Sequence, residues 1–422
     1  MKFWFPLILF LFSSAVAFPQ ASSLMYRPAM KEYQDKMHRN LIQNTINKNL
    51  GYTLGDSTED NWQDAFQAME VLQYKSPWVQ GRLNMAAVRL GSAGISFQRM
   101  FLEMAYSLYP KIYTPEVQQL LLQTTDPKIF AMCAVYLYNS DNSNTQKNYL
   151  GIKTNSLLQQ YPANPILLQL SNYIQQNGKS FAGPIIKAVM AKNYLPGNVL
   201  LISFQRADRN YPGLVVVRDG NGNFVKDSLG NYFSVPQLAR SGSNMPGFLT
   251  NGNTPQGLFR LEKFDVSVST FIGPTPNLQL SMPFEKKAFH FFKTNNEADT
   301  SWSLQRYLNL LPADLRTNPA MQESWYAGMA GRSEIIAHGS TINPEWYTSQ
   351  PYYPLTPTQG CLTSKENWSR ETGKRIQSDQ QKLIYAVLAA GGANGYVLVI
   401  NIDDEKRSVN FSDIEAYLKS SR

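Results

Sequence analysis

The chain has 422 residues, 43% of them hydrophobic and 12% aromatic, which excludes a disordered polypeptide and leaves room for two or three domains. Its formal net charge of +8 comes from Lys and Arg scattered singly and in pairs, with no dense basic block and no nucleic-acid module, so nucleic acid is not an expected partner. The surplus fits an anionic surface such as cell wall or lipid headgroups.

Residues 1–17 read as an export signal. Met1 and Lys2 form a positive start, residues 3–12 an apolar run broken only by Pro6, and Ala15-Val16-Ala17 a small-x-small cleavage site. An uncleaved N-terminal anchor is the alternative. No cysteine follows the run to carry a lipid, no later stretch is apolar for the ~20 residues a membrane helix needs, and no wall-sorting motif closes the chain. The expectation is an exported protein of the periplasm or cell envelope, without stable membrane insertion.

Residues 24–195 carry helical patterning. Trp62, Ala65, Phe66, Met69 and Leu72 recur at three- and four-residue spacing, which predicts a helix over 60–73, and similar spacings predict helices over 97–108, 114–123, 127–137 and 165–174. The stretch TTDPKIFAMCAVYLYN has a polar turn followed by a small-residue apolar helix, as in paired-helix repeats, but no period emerges. A repeat-like stack and an irregular bundle both remain open, and either could supply a surface for a protein partner.

At Pro196-Gly197 the texture changes, and residues 197–422 read as a β-rich domain, making the chain α+β and multidomain. Strands are predicted over 199–204, 213–217, 257–266, 288–292, 334–337 and 395–402, with a helix over 378–389. The nearly all-apolar YVLVINI suits a strand covered on both faces. Asp219, Asn221 and Asn223 have the opening spacing of a calcium loop, but Phe224 stands where that loop needs Gly and Gly230 where it needs Glu, so DGNGN reads as a turn.

Chemistry-bearing residues are few. His38, His290 and His338 lie far apart with no zinc spacing, and no metal or cofactor is expected. Cys133 lies in the apolar stretch FAMCAVYLY, where a cysteine behaves as a small core residue. Cys361 follows Gly360 in the polar, turn-rich PTQGCLTSKE, where glycine allows close backbone approach. His338 sits where the apolar run IIA gives way to Gly339. A thiolate needs a partner to form near neutral pH, so Cys361 with His338 as base suits acyl transfer, and backbone amides around Gly360 and Cys361 could hold an oxyanion. A Cys133–Cys361 disulfide is the competing reading in an oxidising compartment.

The order of NTPQGLF (253–259), GRSEIIAHG (331–339), TQGC (358–361), a helix and a final GYVLVI strand resembles the L,D-transpeptidase (YkuD-like) catalytic domain across roughly residues 199–403. The resemblance implies a β-rich, sandwich-like fold and a cysteine that attacks a carbonyl in a peptidoglycan stem peptide, then passes the acyl group to an amine or to water. It casts Cys361 as nucleophile, His338 as base, the Gly339 carbonyl as orienter of the imidazole, and Gly360 as part of the oxyanion turn. Gln359, Thr363, Arg332 and Tyr347 become substrate-binding candidates. Gln359 replaces the family's usual histidine and Thr363 stands where Arg or Asn is common, so transfer or hydrolysis stays open. Trp346, Tyr347, Tyr352 and Tyr353 between His338 and Gln359 form either a substrate-covering loop or a packed surface loop. The remaining alternatives are an L,D-carboxypeptidase or other cysteine peptide or amide hydrolase, and a non-catalytic wall-binding module.

Overall fold

A computed structural model describes residues 24–178 and 186–420. The expected export signal lies outside the described residues. Beyond it the chain is α+β, a helical N-terminal region followed by a β-barrel surrounded by further helices.

The helical region opens with α1 (Lys31–Asn40), π-helical turns over Leu41–Asn47 and α2 (Lys48–Gly51). Then follow α3 (Glu59–Leu72), α4 (Pro77–Val88), α5 (Ile95–Leu108), α6 (Thr114–Gln123), α7 (Pro127–Ser140), α8 (Asn144–Gln160) and α9 (Pro165–Gln175). Local chemistry sets the ends. Ser76, Asp126, Ser143 and Asn164 each cap a helix with a side-chain oxygen, and proline follows three of them at the first helical position, where its missing N–H costs nothing. Helices α3, α5, α7 and α9 pack in chain order, with α6 against α7 and α8 against α9. Their shared core holds Trp62, Phe66, Phe97, Phe101 and Cys133, all fully buried.

The barrel strands are β1 (Val199–Arg206), β2 (Gly213–Arg218), β3 (Val235–Leu238), β4 (Gly257–Asp265), β5 (Asn277–Ser281), β6 (Ile336–His338), β7 (Leu362–Ser364) and, after the β8 (Glu366–Trp368)–β9 (Arg375–Ser378) hairpin, β10 (Gly395–Asp403). They close in the order β1-β10-β4-β5-β6-β7-β3-β2. The β1–β10 and β6–β7 pairs are parallel and the others antiparallel. Alternation sorts the side chains. Val199, Leu201, Val397 and Val399 join one core with Phe259, Leu278, Ala337 and Leu362, whereas Leu200, Ile202, Leu398 and Ile400 join another. The first core takes in α14 (Asp379–Ala389) through Leu383 and Val387. The second is covered by α10 (Ile186–Met190), α12 (Leu304–Asn309) and α15 (Phe411–Ser420). Both faces of β1 and β10 are therefore buried, which explains their nearly unbroken apolar runs.

Several expectations need correction. Residues 288–292 form a short helix, α11 (Ala288–Phe292), ended by Lys293 in the left-handed region at φ 56°, and not a strand. The β-domain closes into a barrel where the resemblance implied a sandwich-like sheet. Ile186, Val189, Met190 and Tyr194 pack with the barrel, so the helical region as built ends before residue 195. Helix α13 (Glu323–Met329) also packs against α9, across the boundary. The Asp219 carboxylate accepts from its own loop amides, Asn221 N at 2.9 Å and Asn223 N at 2.7 Å, making DGNGN a turn closed by its own aspartate. Among the described residues no helix is long and apolar enough to cross a membrane.

The two regions interlock. The β3–β4 connection sends Met245, Phe248 and Leu249 into the helical core, Asn251 donates to Glu103 at 3.1 Å, and Tyr347 donates to the Val71 carbonyl at 2.5 Å. From the other side Tyr26 N–H donates to Gly373 O at 2.8 Å.

Candidate active site

The parallel β6–β7 register sets Ala337 opposite Leu362 and His338 opposite Thr363. Cys361, two residues before Thr363, falls on the same sheet face as His338. Both line one cavity of 450 Å³, within the size range of small-molecule and peptide-end sites. Its floor is the barrel, with His338, Ser340, Thr358, Gln359 and Cys361. Its roof is helical, with Leu41, Asp64, Gln67, Glu70 and Val71.

His338 is buried, and its Nδ1 lies 2.5 Å from the Gly339 carbonyl oxygen. A carbonyl can only accept, so Nδ1 carries the proton and Nε2 is left with a free lone pair. Burial pushes the imidazole down to about 4, against the opposing Gly339 carbonyl. Burial likewise pushes the Cys361 thiol up, while the Ile336 amide and the Arg332 guanidinium act towards thiolate. Sγ donates weakly to the Glu334 carbonyl at 3.7 Å. Burial thus favours the neutral form of both groups, a protonated thiol and an unprotonated imidazole lining one cavity. Cys133 is buried in α7 and both cysteines are free, so the disulfide reading does not hold.

The turn that presents Cys361 is built by two threonines. Thr358 Oγ1 accepts from Gly360 N–H at 3.0 Å and donates to the Cys361 carbonyl at 3.1 Å, and Thr254 Oγ1 donates to the Gly360 carbonyl at 2.8 Å. The Gly360 amide is thus spent inside the turn, and the Cys361 amide takes no part in these bonds. Gly360 has φ 115°, and a Cβ there would run into Arg332 Nη2 and stand 2.7 Å from the Gly252 carbonyl oxygen, so glycine is required twice over.

The expected substrate-binding residues divide. Gln359 is exposed and lines the cavity. Tyr347 also lines it, but is fully buried with its hydroxyl on Val71. Arg332 is buried behind the turn, its guanidinium donating to the carbonyls of Gly247, Gly252 and Asn253, and is not among the cavity-lining residues. Thr363 is buried with its hydroxyl donating to Thr356 O at 2.9 Å. Trp346 and Tyr352 are packed too: Trp346 meets His38 at 5.1 Å between ring centroids and Tyr352 meets Tyr347 at 5.8 Å.

Sequence reasoning missed two contributors. Glu70 lines the cavity 9% exposed, its Oε1 without a hydrogen-bond partner among the described residues, and burial together with Glu103 holds its carboxyl well above the usual range. A signal existed, because Trp62, Phe66 and Glu70 share one four-residue row of α3 and a carboxylate on an apolar row is anomalous. Thr254 is the other, hidden in NTPQGLF as a buttress of the turn that presents Cys361. No family model, no curated protein and no solved structure matches the chain.

Proposed function

We propose that the chain is an exported, L,D-transpeptidase-like cysteine acyltransferase acting on peptidoglycan stem peptides. The observation that carries this reading is His338 at the end of β6 and Cys361 immediately before its parallel neighbour β7, both lining one cavity, with the imidazole tautomer set by the Gly339 carbonyl. Substrate binding brings a carbonyl carbon to Sγ. His338 Nε2 takes the thiol proton as the S–C bond forms, the Cys361 amide meets the developing oxyanion, and the imidazolium returns its proton to the departing amine. An acceptor amine then attacks the thioester, giving its proton to Nε2, and Sγ leaves reprotonated. Arg332, directly behind Gly360, biases the sulfur towards thiolate during the first step.

The test is mass spectrometry of the protein incubated with tetrapeptide-bearing muropeptides. The wild type is expected to show an acyl adduct on Cys361 and cross-linked product, Cys361→Ala neither, and Cys133→Ala both. An active Cys361→Ala variant overturns the mechanism, and an adduct consumed only by water makes the protein a hydrolase with the same residues.

A further inference from the structure

A second cavity, of 160 Å³, lies where α5 and α9 meet the barrel and is lined in part by Tyr106, Gln169, Asp208, Arg209, Gln256 and Glu323. Arg209 is 5% exposed. Its Nη2 donates to the Thr254 carbonyl at 3.2 Å, while Nη1 has no hydrogen-bond partner among the described residues. Gln169, on α9 and 3% exposed, has its Nε2 unpartnered in the same sense. Leaving a buried guanidinium proton and a buried amide unbonded is costly, and such groups ordinarily find a partner in protein, water or ligand. Burial pulls the Arg209 guanidinium down to about 10, with Glu323 acting against it.

The same cavity holds complementary charge. Glu323 accepts from Gln256 N at 2.9 Å on one oxygen and from Gln256 Nε2 at 3.1 Å on the other, which leaves lone pairs on both. Asp208 contributes a second carboxylate, engaged by Lys406 and Asn210. An anion such as phosphate would meet both carboxylates, and a simple cation would meet Arg209. A zwitterion satisfies all of them. The volume holds at least about five waters at ~30 Å³ each, the scale of a small amino acid.

We infer that this cavity binds a small free α-amino acid, its carboxylate on Arg209 Nη1 and Gln169 Nε2 and its ammonium towards Glu323 and Asp208. The assignment is independent of the chemistry proposed for Cys361. Isothermal titration of the full mature chain with glycine, L-alanine and D-alanine tests it, with propionate and ethylamine as the analogues lacking one charge. At least one amino acid is expected to bind, and both analogues to bind at least ~10-fold more weakly, the cost of one lost charged hydrogen bond. Arg209→Gln should abolish binding. Because that variant could fail to fold, Gln169→Leu provides the second arm and should weaken binding about tenfold. Absence of binding by all three amino acids at millimolar concentration, propionate binding as tightly as alanine, or unchanged affinity in Gln169→Leu would each overturn the assignment.

Discussion

At His338 and Cys361 two displacements oppose the usual ion pair: the imidazole is held near pH 4 and the thiol above its ordinary value of 9.0. The neutral forms are then favoured at rest, and under the proposed mechanism the thiolate forms only as substrate arrives. Alkylation of Cys361 by a small thiol electrophile should accordingly keep rising from pH 6 into the alkaline range, since the thiolate alone reacts. A plateau already reached at pH 7 would mean a preformed thiolate–imidazolium pair. For acyl transfer, His338→Gln should lower the rate by roughly 10²–10⁴-fold, with part of the loss recovered at high pH. The same burial has a stability cost of known sign. Below pH 6.5 the unfolded imidazole takes a proton that the folded one refuses until about 4, so native stability falls as pH drops through that window, by at most ~1.4 kcal/mol per pH unit. The proposed pair was legible as a candidate because both residue types are scarce and both sit where strand and loop meet. The surroundings of Arg332 and Tyr347 were not legible, because spacing says nothing of which way a long side chain turns; one braces loop carbonyls and the other lines the cavity with its hydroxyl on a helix carbonyl.

Among the elements, the strap between β6 and β7 matters most to the site. Its short 3-10 helix, Pro344–Tyr347, is capped by Asn343 and buries Tyr347 beside Tyr352, Leu238 and Leu355. Packed in this way Tyr347 and Tyr352 clamp the strap between barrel and α3, while Tyr353 stays exposed and Ile342, Tyr347, Thr356 and Pro357 line the cavity. Tyr347→Phe deletes the donor to Val71 O, a part-buried bond, which should cost about 1 kcal/mol in urea unfolding and quicken proteolysis within residues 340–357. Unchanged cleavage would show that the hydroxyl is not the latch. Long periodic helices and the double-buried strands were readable from pattern alone. The three- and four-residue strands β3, β6, β7, β8 and β9 hold too few residues for a period, and the aromatic run at α11 satisfies strand and helix templates alike until Phe291 meets Tyr307 and Tyr396.

The whole molecule makes its cavity from two regions that sequence texture separates at Pro196. No local pattern announces that α3 shares a cavity with Cys361 almost 300 positions away, because the contact is tertiary. It follows that the barrel cannot simply be cut free. A fragment of residues 186–422 would expose Met245, Phe248, Leu249 and Tyr347, and should be less soluble than the full chain and bind a hydrophobic dye. A monomeric fragment with an unchanged thiol reactivity profile would show that the helical roof is dispensable.

The closure of the barrel also sets an order of events. Strand β10 is the only bridge between β1 and β4 among the described strands, and it comes last in the chain, almost 200 residues after β1. Its end is tied back by Arg206, fully buried on β1, which reaches Asp403 at 2.5 Å and Asp413 on α15 at 2.7 Å. Until β10 docks, β1 and β4 each present an unpaired edge, and a loop of almost 200 residues has to close before the barrel does. The fold thus behaves as an arch whose keystone is its latest strand: the barrel that carries His338 and Cys361 gains its rigidity only once β10 is in place.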